Sequence, residues 1–489
     1  MRDPYATLDR VTDPAIRPRS EGDVADPRLT ARDLVEATGG RLLAESARPI
    51  LGGAVDSREV VPGNLFVALP GEHVDGHAFV VAALERGAAA AIVARPPDGM
   101  ALGDVEATIL QADDPLRALH RVAASWRRRF DPLVVGVTGS IAKTSTKEAI
   151  ATVLASELVT LKNEGNQNNE IGLPLTVLRL RPDHQAAVLE MGMYVGGEIA
   201  ELAAIGRPEI GVVTAVQAVH LSRIGTIEAI EQAKGELVEA LPPDGVAILN
   251  ADDERVRRMS SRTDARVMTY GFAPDAMVRA DAIESAGADG MRFDLVADGQ
   301  RRPVTIPTLG RLAVHNALAA AAVGLASGFP PDRVAAALAM GWSAPHRAAL
   351  IRRGGVTIVD DSYNASPGSV IAALDLLAGM PGRRIAVLGE MLELGDGHEE
   401  GHERVGAAAA GVVDPLIVVG DGAAGIARGA RDAGLAADAL IEAADRPAAL
   451  AALESDGRHG DVVLVKASRG VELDLLVDDL VAALEARPR

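Results

Sequence analysis

The first regular pattern begins at Leu29, where LTARDLVEATGG spaces its apolar positions at helical intervals and then runs into a glycine pair. Apolar runs around residues 65–69 and 89–93 flank an alanine-rich helical stretch, as in a small α/β unit. From residue 133 to about 342, the short apolar runs VVGVT, AAVLEM, IGVVTAV and VAILNA alternate with helical segments. A third set follows, VTIVDDS, RIAVLGE, LIVVGDG and DVVLVKASRG, each separated from the next by a helical stretch. Strand–helix alternation of this kind predicts an α/β fold with mostly parallel sheets covered on both faces. The expected division is a flexible tail over 1–28, an α/β domain over 29–114, a central domain over 115–342 and a Rossmann-like, doubly wound domain over 343–489.

Length agrees with that division, since 489 residues at roughly 150 per domain give about three. The 49 Lys and Arg against 68 Asp and Glu leave a net charge of −19, with no long basic run. A broad nucleic-acid or anionic-membrane surface is therefore not expected. The chain contains no cysteine, which excludes disulfides, thiolate metal sites and a thiol nucleophile. The first 28 residues lack an apolar signal core, and no later segment holds about 18 uninterrupted apolar residues, so a cytoplasmic protein without membrane insertion is expected.

Candidate chemistry begins in VVGVTGSIAKTSTKEAI, a strand, a glycine-containing turn and the start of a helix. It nearly fits the phosphate-binding pattern GxxxxGK[ST], but Val137 and Ala142 stand where that pattern has glycines. Phosphate sits well at a helix N-terminus because unpaired N–H groups and the helix dipole both favour an anion. In Thr138-Gly139-Ser140-Ile141-Ala142-Lys143-Thr144, Lys143 is spaced to reach the β and γ phosphates of ATP and Thr144 to hold Mg²⁺. The alternative is a glycine-containing strand-to-helix turn with no ligand.

In TIEAIEQAKGELVEALPPDG, Ile227, Ile230, Leu237, Val238 and Leu241 form one helical stripe with Lys234 in its middle. Such a lysine either snorkels or pairs with a carboxylate, or its nitrogen does chemistry or is modified at a metal site. Polar groups also recur just past strand ends, where open α/β sheets bind ligands: Glu190, His220, Asp360, Asp361, Lys466, Ser468 and Arg469. Glu190 and His220 are candidate Mg²⁺ partners, the carboxylate being the better ligand for a hard cation.

Over nearly its whole length from about Leu29, the chain resembles the Mur ligases. The residues that carry the resemblance are VDSREVVPGNLFVALPGEHVDGHAF, TGSIAKTSTKE, KNEGNQNNEIGLPLTVL, VLEMG, QAKGELVEAL, DDSYNASPGSV, AVLGEMLELGD and VLVKASRG. NNEIGLPLT, DSYNASPGS and LGEMLELGD point to the dipeptide-adding branch, and the Asp-Asn-Pro-Arg motif of the diaminopimelate-adding branch is absent. The resemblance implies a uridine-nucleotide domain, a central P-loop ATPase domain and a C-terminal Rossmann-like domain. It implies amide formation between UDP-N-acetylmuramoyl-tripeptide and D-alanyl-D-alanine, driven by ATP with Mg²⁺, in a monomer.

Site roles carry over from the resemblance at the matched positions. Ser57, Arg58, Asp75, Gly76 and His77 would lie near the UDP-sugar, and Asn168, Asn169, Lys466, Ser468 and Arg469 near substrate. The loop from Thr138 to Thr144 and Asn316 would serve ATP, joined by Arg347, Asp361, Tyr363 and Asn364 from the third domain. Thr144, Glu190, His220 and Lys234 would bind Mg²⁺, Lys234 as a carbamate; the catalytic set would be Lys143, Glu190, His220, Lys234 and Arg347. The chain departs from the family at Ala142, at Leu312 and Ala313 where His-Asn is usual, and at His346 where glycine commonly precedes the arginine. Other readings stay open: a Mur-type ligase with a different acceptor, a non-catalytic nucleotide-binding protein of the same fold, and a metabolic kinase, which need not have a third doubly wound domain.

Overall fold

The computed structural model describes residues 28–71, 74–97, 105–217 and 224–486; residues 1–27 of the expected tail lie outside them. Helix Ala31–Thr38 opens with a reciprocal Thr30–Asp33 capping box and ends at Gly39, which takes the left-handed conformation at φ 71°. The first sheet holds β1 (Arg41–Ala44), β2 (Gly53–Ala54), β3 (Leu65–Val67), β4 (Ala90–Val93) and β5 (Thr108–Gln111) in the order β1-β5-β4-β3-β2. All pairs are parallel except β1 with β5.

Helix Pro115–Arg127 leads into the second sheet, started by the Asp114 side chain and a proline in its first turn. Its Leu119 and Trp126 join one apolar cluster with Leu65 and Ile92 of the first sheet and Leu173, Leu189 and Met191 beyond it. The first two sheets therefore share a core.

The second sheet has nine strands: β6 (Leu133–Thr138), β7 (Thr160–Lys162), β8 (Ala186–Glu190), β9 (Ile210–Val213), β10 (Val246–Asn250), β11 (Arg266–Gly271), β12 (Val278–Ser285), β13 (Met291–Ala297) and β14 (Gln300–Ile306). Their order is β14-β13-β12-β11-β10-β9-β6-β8-β7, parallel from β7 to β12 and antiparallel beyond. The antiparallel meander over β12–β14 differs from the strand–helix alternation expected up to residue 342. From β6 the chain moves toward β7, and from β9 it moves the opposite way toward β10. Such a reversal is where doubly wound sheets open a crevice at their carboxyl ends.

The third sheet holds β15 (Ala349–Arg353), β16 (Val356–Asp360), β17 (Arg384–Gly389), β18 (Leu416–Val419), β19 (Leu440–Ala443) and β20 (Val462–Lys466), ordered β15-β16-β20-β17-β18-β19. Only β15 runs antiparallel. Separate clusters cover its two faces: Val359, Leu388 and Val405 belong to one, Ile358, Val387 and Leu480 to the other. The fold is thus α/β with three mostly parallel sheets. Among the described residues no helix is long and apolar enough to cross a membrane.

Candidate active site

The glycine-containing loop sits at the crevice beside β6. Gly139 has φ 148°, and a β-carbon there would lie 1.9 Å from Oγ1 of Thr214, the residue following β9. That hydroxyl donates to the Ile141 carbonyl at 2.6 Å, and the Ser140 N–H donates to the Ala215 carbonyl at 2.7 Å. Ser140 Oγ donates to the Gln217 carbonyl at 3.1 Å and accepts from its N–H at 2.9 Å. Close approach of the Thr214 side chain therefore demands glycine at 139, and Thr214 is a support of the loop that the loop pattern alone did not reveal.

Ala142 takes φ 63° and ψ 2° as the N-cap of helix Lys143–Ala155. The loop thus keeps the left-handed residue that glycine usually supplies, at about 1–2 kcal/mol for the extra methyl group. No side chain caps this helix. Its first-turn N–H groups can therefore serve an anion. The Lys143 amine donates to the Gly139 carbonyl at 2.6 Å and lies 3.4 Å from the Ser140 carbonyl. Burial pushes its pKa down, Glu190 opposes that shift and Arg347 adds to it, which puts groups from two domains within electrostatic reach of one amine. Thr144 is buried in the first turn of the helix.

Glu190 ends β8 and is 2 % exposed. Asn168 Nδ2 donates to its Oε1 at 2.6 Å, while Oε2 is buried with no hydrogen-bond partner. Its backbone is gripped by Asn163, whose Oδ1 accepts from the Glu190 N–H at 2.7 Å and whose Nδ2 donates to the Glu190 carbonyl at 3.2 Å. Asn163 is held in turn by the buried Lys147, whose amine donates to its carbonyl at 2.6 Å. Both residues lie inside the quoted motifs TGSIAKTSTKE and KNEGNQNN, yet nothing in the spacing marked them as supports for Glu190. Asn169 lies ahead of the next helix, its Oδ1 accepting from the N–H groups of Ile171 and Gly172.

Lys234 points inward from helix Ile227–Glu239, 3 % exposed, as the stripe predicts. Burial, with Lys143 adding repulsion, holds its pKa well below the ordinary lysine value. Among the described residues no carboxylate is paired with it, so the carboxylate-partner alternative for this lysine is not realised there. His220 lies outside the described residues. Asn316 is buried and accepts from Thr146 Oγ1 at 3.1 Å, tying helix Arg311–Ala326 to the helix behind the loop. One turn before it, Leu312 is 41 % exposed and Ala313 is buried.

Residues of the third sheet close the opposite side. Arg347 lies with its guanidinium carbon 4.3 Å from the centre of the Tyr363 ring, and Arg469 reaches the same ring at 5.5 Å. Burial raises the Tyr363 pKa, Arg347 lowers it and Glu190 of the second sheet raises it, so this tyrosine lies within electrostatic reach of the β8 end. Lys466 is buried and donates to Asp361 Oδ2 at 2.6 Å and to the Asn364 carbonyl at 2.9 Å. Ser468 Oγ accepts from the Leu392 N–H at 2.9 Å, and Asn364 Oδ1 accepts from the N–H of Ala365. Lys466 and Ser468 thus spend these polar atoms within the fold, and Arg469 pairs with Asp474 at 2.6 Å.

In the first domain, Ser57 and Arg58 form a single helical turn behind Asp56, which pairs with the exposed Arg58 at 2.6 Å. Hydrogen bonds from Arg58 lower the Asp56 pKa to about 2. Asp75 accepts from the His77 N–H at 3.0 Å and from Arg95 at 2.7 Å. His77 Nε2 accepts from the Ala94 N–H at 2.8 Å, so Nδ1 carries the proton and donates to Asp75 at 2.6 Å. Gly76 is required by space, since a β-carbon would meet the Leu69 carbonyl oxygen at 2.6 Å.

An uncapped helix N-terminus, a half-buried lysine folded over the loop before it and a buried carboxylate oxygen without a partner at the neighbouring strand end make an arrangement suited to a nucleotide phosphate. Family profiles agree along the chain: "Mur ligase family, catalytic domain" matches residues 51–127, "Mur ligase middle domain" 137–324 and "Mur ligase, glutamate ligase domain" 346–469. The chain is 39% identical to the UDP-N-acetylmuramoyl-tripeptide–D-alanyl-D-alanine ligase of Synechocystis sp., covering 87% of this chain and 91% of that protein. It is 38% identical to the Mycobacterium tuberculosis H37Rv protein of the same name, over 93% of this chain and 98% of that one. Among solved structures, MurF from Acinetobacter baumannii superposes with a TM-score of 0.83 at 30% identity, covering 94% of this chain and all 100% of that chain. MurF from Thermotoga maritima in complex with ADP gives 0.78 at 29% identity, over 90% and 99%. The chain belongs to the Mur ligase family, in its UDP-N-acetylmuramoyl-tripeptide–D-alanyl-D-alanine ligase branch.

Proposed function

We propose that this chain joins the amine of D-alanyl-D-alanine to the terminal carboxylate of UDP-N-acetylmuramoyl-tripeptide, driven by ATP, in peptidoglycan-precursor synthesis. What supports this is the uncapped N-terminus of helix Lys143–Ala155, with Lys143 2.6 Å from the Gly139 carbonyl, together with the buried, partnerless Glu190 oxygen and, within electrostatic reach, Arg347 and Tyr363 of the third sheet. Cations on both sides of one crevice suit a reaction in which negative charge spreads over a transferring phosphoryl group. The substrate carboxylate would take the γ-phosphoryl group of ATP to give an acyl phosphate, which the dipeptide amine then displaces to form the amide.

Lys143 and the N–H groups of the Ser140–Thr144 turn would bind phosphate, and Arg347 would meet it from the third domain, with Asp361, Tyr363 and Asn364 holding that side of the site. An acyl phosphate hydrolyses readily, so closure of the third domain over the loop would serve to exclude water. Ser57, Arg58, Asp75, Gly76 and His77 would hold the UDP-sugar, and Asn168, Asn169, Lys466, Ser468 and Arg469 would line or support the substrate side. Asn316 would contribute at the nucleotide.

The orphaned Glu190 oxygen fits a divalent cation. Among the described residues no group of three His, Asp or Glu side chains is ready to chelate one unaided, which suits Mg²⁺, an ion that keeps waters and borrows phosphate oxygens. Thr144, Glu190, His220 and a Lys234 carbamate would hold it, and it would neutralise phosphate charge. A neutral, buried Lys234 amine is the form that combines with carbon dioxide, releasing a proton, and the resulting anion would stand as a countercharge to the Lys143 ammonium. The protein would act as a cytoplasmic monomer. Incubation with UDP-N-acetylmuramoyl-tripeptide, D-alanyl-D-alanine, ATP and Mg²⁺ should yield ADP and the UDP-linked pentapeptide by mass; ADP without pentapeptide would point to another acceptor, and no ADP to a non-catalytic protein.

A further inference from the structure

Arg347 is bracketed by two residues in the left-handed backbone region, His346 at φ 57° and Ala348 at φ 52°. A residue bearing a β-carbon holds that conformation only where its surroundings fix it, and such strained positions gather at functional sites. Here the fixing groups are two consecutive aspartates at the end of β16. Asp360 Oδ2 lies 2.8 Å from Nδ1 of His346, and Asp361 Oδ1 accepts from the Ala348 N–H at 3.1 Å. The His346 carbonyl also accepts from the Tyr363 N–H at 3.1 Å.

Neither aspartate is free to swing. Asp360 is 3 % exposed, and its Oδ1 accepts from Ser362 Oγ at 2.6 Å and from the Ser362 N–H at 3.2 Å. Asp361 is pinned through Oδ2 by the buried Lys466. Because a carboxylate oxygen only accepts, the His346 nitrogen facing Asp360 is the protonated one. The residue before Arg347 is thus anchored through its side chain and the residue after it through its backbone. Between these anchors the guanidinium lies against Tyr363.

We propose that His346 and Asp360 form a positioning pair for Arg347: the imidazole–carboxylate bond fixes the backbone at 346 and so aims the guanidinium at the nucleotide. Neither residue touches the reacting atoms. The role of the pair rests on the nucleotide-facing role of Arg347 proposed above.

His346→Gly separates the side chain from the backbone, because glycine adopts φ 57° without a steric penalty and the loop can still form. The variant should keep its thermal midpoint yet lose about tenfold in kcat/KM for ATP, the scale of one charge-assisted hydrogen bond. Arg347→Ala should lose more, and adding His346→Gly to it should cost nothing further, since the pair acts through Arg347. Parental kinetics in His346→Gly, or losses that multiply in the double variant, would overturn the pair. Calorimetry with Mg²⁺ and a non-hydrolysable ATP analogue separates this from the ligase reading. A parent that binds the analogue but makes no pentapeptide sinks the ligase reading alone, equal analogue affinity of parent and His346→Gly sinks the pair alone, and a parent that binds no analogue sinks both.

Discussion

Asn168 holds Oε1 of Glu190 at 2.6 Å and leaves Oε2 of the same carboxylate buried without a partner. A buried carboxylate oxygen without a partner is costly, so we propose that a cation arriving with the substrate occupies this place. Glu190→Gln keeps the shape and lets the amide oxygen face Asn168, but removes the charge. It should fold at least as stably as the parent while its affinity for Mg²⁺ falls about 10–100-fold. Phosphate release across a Mg²⁺ titration measures this, and a parental titration curve would rule out Glu190 as a metal partner.

Lys234 supplies a pH test with a definite sign. Its folded-state pKa lies below that of the unfolded chain, so the unfolded state binds the extra proton and stability rises with pH between the two values. Unmodified Lys234 is therefore most costly to folding below its depressed pKa. Lys234→Met should be more stable than unmodified parent near neutrality, with the gain shrinking as pH approaches the ordinary lysine value of about 10.4. The variant should also lose turnover. Denaturation series in carbon-dioxide-free buffer at several pH values test the first part; a gain that does not change with pH would mean the amine is not desolvated.

Ala142 and Gly139 differ in what a methyl group meets. Ala142→Gly removes a left-handed strain of about 1–2 kcal/mol but loosens the unfolded chain by about 0.4–1 kcal/mol, so a small net stabilisation with ATP affinity kept is expected. Gly139→Ala places a methyl carbon 1.9 Å from Thr214 Oγ1 and must displace the loop. ATP binding should be lost in Gly139→Ala even where the fold survives. Calorimetric titration of both variants checks the contrast, which reversed affinities would contradict.

Asp75 sits in the first domain with its carboxyl pKa pulled down by the His77 backbone N–H first, then by Arg95 and the His77 ring. A depressed carboxyl pKa gives stability that is present above the unfolded value of about 3.9 and lost as pH falls through the folded one. Asp75→Asn should therefore be less stable than the parent at pH 7, with the difference fading in acid. It should raise KM for the UDP-sugar and leave KM for ATP unchanged. A shift in KM for ATP instead would separate this corner from the UDP-sugar.

Much of this arrangement was legible in the sequence because it follows from local pattern. The strands VVGVT, AAVLE, IGVV and VAILN are short apolar runs, and Lys234 falls on the inner side of its helix because Ile230, Leu237 and Val238 share that side. The meander β12–β14 was not legible: its alternating exposed and buried residues lie outside the strand–helix rhythm of the rest of the sheet. Contacts between distant segments were also hidden. Thr214 fixes Gly139 across 75 residues of sequence, Lys147 and Asn163 support Glu190 from neighbouring elements, and His346 meets Asp360 through a turn whose φ no motif states. Asp360 showed itself only as an acidic group past a strand end.

We propose that the crevice beside β6 activates a carboxylate by phosphorylation. UDP-N-acetylmuramoyl-tripeptide carrying ¹⁸O in its terminal carboxylate, turned over with ATP, Mg²⁺ and D-alanyl-D-alanine, tests it by mass analysis of the released phosphate. One ¹⁸O atom transferred to phosphate for each pentapeptide formed is the expected result. Pentapeptide made with unlabelled phosphate, or phosphate released with no pentapeptide, would contradict it.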